Sequence, residues 1–180
     1  MLPVDRVRSL SATRKFLMFL AAFGLCDDVL PRKLILKAAY HSWPDEYLAE
    51  LSEEFRDRDT AKLFKKLRER GLIESSRVGN RVWHVLTEKG LHLVTREQMM
   101  LAPKLDDGKL LIVSFDVPER ERKARDALRF FLRRCGFTRW HDSLWVTERD
   151  VRHLLVSVFE RMGTGQWIVL YEARSVFRPQ

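Results

Sequence analysis

The chain of 180 residues is poor in the side chains that build metal and redox sites. It has two cysteines, Cys26 and Cys135, far apart and each in an apolar helical setting. There is no CxxC, so neither a zinc site nor a disulfide framework is expected. Both thiols read as small buried hydrophobes in a reducing compartment. The five histidines, at 41, 84, 92, 141 and 153, are dispersed and form no pair at ligand spacing. With eight glycines, no glycine-rich loop precedes a helix start, and GTGQ at 163–166 reads as a turn between helix and strand. His141, Asp142 and Ser143 adjoin, but neighbours on a hairpin point apart, which excludes a triad there. The longest apolar run, Phe16 to Cys26, has eleven residues and is too short to span a bilayer. The N-terminus has charges but no small-residue cleavage site, so a cytoplasmic protein without a membrane partner is expected.

What is present is charge and core. Lys and Arg number 33 against 25 Asp and Glu, a formal net charge of +8. Such a balance favours nucleic acid or an acidic surface as partner. A hydrophobic content of 46% is enough for true cores and excludes a disordered tail. The length suits one large domain or two small ones.

The segment LAPKLDDGK, 101–109, combines Pro, Gly and charge, and reads as a linker between domains 1–100 and 110–180. In the first half, Ser11 can cap a helix through RKFLMFLAAF to a stop at Gly24. Pro31 and Pro44 can open two more helices. The second of these, PDEYLAELSEEF, is strongly acidic. A fourth, DTAKLFKKLRERG, is capped by Asp59 or Thr60, turns Leu63, Phe64 and Leu67 to the core and ends at Gly71. LIESS and RVWHVL then alternate around a turn at Gly79–Asn80, the pattern of a hairpin. TEKGLHLVTREQM follows as a helix that Gly90 weakens.

Helices followed by a two-stranded wing make a winged helix-turn-helix. Charge is concentrated where that layout needs it. Lys62, Lys65, Lys66, Arg68, Arg70, Arg77 and Arg81 face only Glu69 and Glu74 in the span 62–81. These seven are the candidate contacts to double-stranded DNA, on the recognition helix and the wing tip.

The second half is read as β-α-β-β-α-β, an α+β ferredoxin-like layout. Helices are expected over 119–135 and 148–162, each apolar along one face, with strands at LLIVSF, FTRW, SLWVT and QWIVLY. LLIVSF and WIVLY barely alternate, so both faces of the sheet should be covered. A second copy of the sheet is the simplest cover, and a homodimer is expected. Packing by the N-terminal domain on that face is the competing expectation.

The block KLLIVSFDVPERERKARDALRFFLRRCGFTRWHDSLWVT resembles the small ferredoxin-fold CRISPR-associated proteins of spacer acquisition. Asp116 ends a strand, Gly136–Phe137 opens the next and Ser143 the third. Preceded by SATRKFLMFLAAFG and TAKLFKKLRERGLIESSRVGNRVWHVLTEKG, the whole resembles the PaaX family of transcriptional repressors over residues 9–172. That resemblance implies a DNA-binding repressor. PaaX repressors carry a further C-terminal domain, whereas this chain stops after SVFRPQ, so a form lacking it is expected and the effector is left unknown.

Asp116 carries two readings. As a cap it would accept backbone N–H groups of the helix after Pro118. The CRISPR-associated resemblance instead implies a metal ligand and catalytic residue, paired across a dimer axis and holding Mg²⁺, with Asp142 and Glu119 as candidate helpers. The cap is preferred, and no cofactor is then expected. Arg122, Arg125, Arg129 and Arg133, with Arg134, form a candidate second nucleic-acid surface, or else a solvated or ion-paired face. The expected function is a homodimeric DNA-binding regulator. The alternatives are a Mg²⁺-dependent endonuclease and a non-catalytic subunit of a DNA-integration complex.

Overall fold

The structure is a computed structural model that describes residues 9–22, 54–55, 60–78 and 81–174. The chain divides into two compact units, 1–101 and 102–180. The helix expected from Pro31, most of the acidic helix from Pro44, and the turn at Gly79–Asn80 lie outside the described residues.

In the first unit, α1 (Ala12–Ala22) begins where Ser11 was expected to cap it, and the Ser11 carbonyl accepts the Lys15 N–H. Its apolar side, Phe16, Leu17, Met18, Leu20 and Ala21, is buried. Phe16 packs its ring 5.0 Å from Phe55 and edge-on 4.9 Å from Phe64. Phe64 belongs to α2 (Thr60–Glu69), whose Leu67 is fully buried.

The end of α2 is set by one residue. Gly71 has φ 63°, left-handed backbone that a Cβ disfavours. There the Leu72 N–H bonds to the Leu67 carbonyl and the Gly71 N–H to that of Arg68, the paired closure of a Schellman cap. The chain leaves this corner into β1 (Ile73–Val78), which pairs antiparallel with β2 (Arg81–Leu86), Val78 opposite Arg81. The pairing runs along the whole of both strands, from Ile73 opposite Leu86 to Val78 opposite Arg81.

Helix α3 (Glu88–Leu101) then returns to the same corner. Thr87 serves both sides of it. Its hydroxyl donates to the Gly71 carbonyl at 2.7 Å and accepts the Gly90 N–H at 3.0 Å, capping α3. Lys89 donates to the Arg70 carbonyl at 2.8 Å. A Cβ on Gly90 would stand 2.0 Å from the Leu72 carbonyl oxygen. Gly90, a flaw by helix propensity, is what lets α3 approach the end of α2.

The second unit holds four antiparallel strands in the order β4-β5-β3-β6. These are β3 (Leu110–Phe115), β4 (Thr138–His141), β5 (Leu144–Thr147) and β6 (Ile168–Ala173). Helix α4 (Arg122–Arg134) joins β3 to β4 and α5 (Arg152–Arg161) joins β5 to β6. This is the β-α-β-β-α-β order, with the first strand central. Val113 lies opposite Trp145 on one side and Leu170 on the other. Leu128, Leu132 and Cys135 on one helical segment and Val151, Leu154, Leu155, Val158 and Phe159 on the other are buried. Leu111, Val113 and Phe115 are buried with them, while Leu110, Ile112 and Ser114 on the opposite face of β3 are only half-buried.

Two expected helix starts shift. A 3₁₀ turn, Glu119–Glu121, precedes α4, because the Glu121 N–H closes onto the Pro118 carbonyl. Residues 148–150 are not helical. The Leu105 N–H bonds to the Glu148 carbonyl at 2.7 Å and the Asp150 N–H to that of Pro103 at 2.9 Å. Arg149 adds a bond to the Ala102 carbonyl at 2.8 Å. Part of the stretch read as linker is therefore paired with the second unit, and its partner is lost to α5.

Gly90→Ala should raise helix propensity yet lose stability, by about 1–3 kcal/mol, because the contact met is backbone and cannot turn away. Chemical denaturation of the full chain measures this; a gain would mean that the corner yields to an added methyl group.

Candidate nucleic-acid interface

Helix α2 turns Leu67 fully inward, with Leu63 and Phe64 half-buried beside it. The opposite side is cationic. Lys62, Lys65, Lys66, Arg68 and, just past the helix, Arg70 are all exposed. Lys65 makes a loose i,i+4 pair with Glu69, 3.9 Å apart and solvated at both ends. Such a pair stabilises little and leaves the charge available. The five cations thus share one solvent-facing side with one carboxylate.

The hairpin is tied to this helix by a residue that sequence reading passed over. The His84 ring of β2 stacks on Phe64 of α2, centroids 4.0 Å apart. Across the hairpin, Ser75 Oγ lies 2.7 Å from His84 Nδ1, and the two residues are paired in register. Burial holds the His84 pKa below its ordinary value, and the Arg68 charge adds to that. Both influences favour the neutral form of the ring where it packs between α2 and the hairpin. The alternation of RVWHVL gave the only signal, by placing His84 on the face of Val82 and Leu86. Arg77 and Arg81 flank the turn by their backbone, opposite Val82 and Val78. Their side chains lie outside the described residues.

Asp116 sits just past the central strand, and its N–H donates to the Trp167 carbonyl at 2.9 Å. It is exposed. The cap reading is overturned: neither the 3₁₀ turn nor α4 has a side-chain cap at its start. The turn at Glu119–Glu121 moves the first N–H groups of α4 along the chain and away from Asp116. The two carboxylates considered as helpers are engaged elsewhere. Glu119 accepts from Arg125 at 2.8 Å, and Asp142 from Arg139. Among the described residues no group of three His, Cys, Asp or Glu is placed to hold a metal ion.

The α4 arginines separate into two sets. Arg125 is part-buried against Glu119. Arg129 donates to the Asp142 carbonyl at 3.0 Å and lies 3.5 Å from Asp126, pinning the β4–β5 turn to the helix. Arg122 lies 3.8 Å from the same Asp126. Arg133 and Arg134 stay on the exposed side.

A mixed α+β chain with an antiparallel sheet of this order defines the class. Within it, residues 103–179 match the family described as PaaX protein central Cas2-like domain. The match covers the second unit and leaves the first unit unmatched. No curated protein matches it. Among the described residues no helix is long and apolar enough to cross a membrane.

The His84 geometry has a pH signature. A folded-state pKa held below the ordinary 6.5 means that folding favours the neutral ring. The stabilisation is full above that value and is lost as pH falls through the folded-state pKa. Urea midpoints at neutral and mildly acidic pH should show a fall in the wild type that is smaller in His84→Phe, which keeps the stack without the proton. An equal fall in both would remove His84 from this role.

Proposed function

We propose that the protein is a homodimeric DNA-binding regulator, a repressor of the PaaX-like kind, acting in the cytoplasm. In this reading the first unit is a winged helix, with α2 in the major groove and the β1–β2 hairpin as the wing. The observation that carries it is the cationic outer side of α2, with the hairpin held against that helix by the Phe64–His84 stack. The major groove of B-form DNA admits a single helix. Lysines and arginines on its flanks would neutralise phosphates and release counterions. The match of the second unit to the Cas2-like domain of PaaX proteins supports a regulator over an unrelated DNA-binding module.

The second unit supplies the dimer in this reading. On the face of the sheet away from the helices, Val169 and Tyr171 are 50% and 52% exposed, and Ile112 and Leu144 are half-buried beside them. Two such faces would stack about 10 Å apart, as in sheet sandwiches. A nuclease reading needs a second carboxylate brought to Asp116 from a partner chain. The regulator reading is preferred because the cationic side of α2 speaks for duplex binding.

Alanine at Lys62, Lys65 and Lys66 together should weaken binding to duplex DNA and flatten its salt dependence by about one unit of log–log slope for each lost phosphate contact. A gel-shift titration at several salt concentrations checks both. Wild-type affinity and slope in the triple variant would remove α2 from the interface.

Val169→Asp with Tyr171→Asp should convert a dimer to a monomer by light scattering, since buried unpaired carboxylates oppose the stacked sheets. A wild-type monomer, or an unaffected dimer in the variant, would reject this face as the interface.

A further inference from the structure

The outer side of α4 carries a feature that neither duplex recognition nor dimerisation uses. Phe130 is 60% exposed in the middle of a charged helix. The Arg134 guanidinium lies over its ring, 5.7 Å from the centroid. Lys123 and Ala127 share the same helical side, at positions two turns and one turn before Phe130. Arg133 is exposed next to it. Asp126, the single acid of this helix, is held by Arg122 and Arg129. Lys123 and Arg133 are exposed, and among the described residues neither is drawn into such a pair.

We propose that this side of α4 binds single-stranded nucleic acid, with a base stacked on Phe130 and the flanking phosphates on Lys123 and Arg133. An exposed phenylalanine costs solvation and aggregation risk, so its surroundings decide what it fits. Protein hot spots are aromatic anchors ringed by apolar contacts that exclude water. Along α4 itself Phe130 has no such company: the helix exposes no other large apolar side chain among the described residues. Phe130 has the Arg134 guanidinium over its ring, with Arg133 exposed next to it and Lys123 exposed two turns before it on the same side. An aromatic platform between positive charges is the arrangement that takes an unstacked base with its phosphates. From Lys123 to Arg134 the side runs about 16 Å at the helical rise, room for a base with phosphate on either side. A duplex hides its base faces and has nothing to place on Phe130. This surface is therefore independent of the duplex reading of α2.

The experiment uses the full chain carrying Lys62→Ala, Lys65→Ala and Lys66→Ala, so that α2 does not mask the result. Fluorescence anisotropy follows a labelled oligothymidine, which cannot pair with itself. Phe130→Ala should weaken its binding by about 5-fold to 150-fold, the loss of one stacked base. Phe130→Trp should keep or tighten it. Lys123→Glu with Arg133→Glu should weaken binding and reduce its salt dependence. In the otherwise wild-type chain, Phe130→Ala should leave duplex binding unchanged. Phe130 is mostly exposed, so these variants should keep the wild-type circular dichroism and melting transition. Oligothymidine binding indifferent to Phe130→Ala would overturn the proposal. So would a polyglutamate peptide whose binding needs Phe130 when that of oligothymidine does not, which would make the partner an acidic protein.

Discussion

The first unit depends on one corner of backbone. Where α2 ends, the carbonyls of Arg70, Gly71 and Leu72 are turned toward the start of α3, and two residues there meet all three. Lys89 takes the first and Thr87 the second through its hydroxyl, while the Thr87 N–H takes the third at 3.1 Å. These three hydrogen bonds tie α2, the hairpin and α3 to one another, and of the three carbonyls that of buried Leu72 would be costly to leave without a donor. It also explains why a glycine stands inside α3. The carbonyl of Leu72 occupies the place of its Cβ. The cationic side of α2 and the hairpin beside it share one rigid frame because of this corner and the Phe64–His84 stack.

The second unit is organised by its central strand. β3 pairs with β5 and β6 at once, so its alternation orients both neighbours. Helices α4 and α5 close in the same way as α2. Phe137 and Thr164 send their N–H groups back to Leu132 and Phe159, past Gly136 and Gly163. Each helix is thereby stopped where a strand or its lead-in must begin. On the outer side of α4 the charges are sorted by reach. Arginines facing Asp126, Glu119 and the β4–β5 turn become structural, while Arg133 is turned to solvent on the far side.

Much of this was legible in the sequence. Leu63, Phe64 and Leu67, the stop at Gly71 and the two alternating runs around Gly79–Asn80 mark α2 and the hairpin by local spacing alone. The apolar positions 128, 132 and 135, and 151, 154, 155, 158 and 159, mark the helices of the second unit. Other parts were not legible. The pairing of 103–105 with 148–150 joins backbone groups about 45 residues apart, and backbone bonds leave no mark in side-chain pattern. The 3₁₀ turn after Pro118 replaced the cap expected of Asp116, because helix starts are decided by which N–H groups already have partners.

The sequence by itself determined the periodic elements, their order and the density of positive charge on α2 and α4. Those arise from side-chain spacing along the chain, which is a local property. Only the tertiary structure decided which charges are spent. Arg125 and Arg129 differ from Arg133 in nothing but the direction that a helix of 3.6 residues per turn gives them. That direction sets two against carboxylates and turns and one toward water. The same holds for His84, whose neutral form is favoured because folding packs the ring on Phe64, buries it and brings the Arg68 charge near it. Burial and neighbouring charge are set by residues distant in sequence, and no window along the chain contains them.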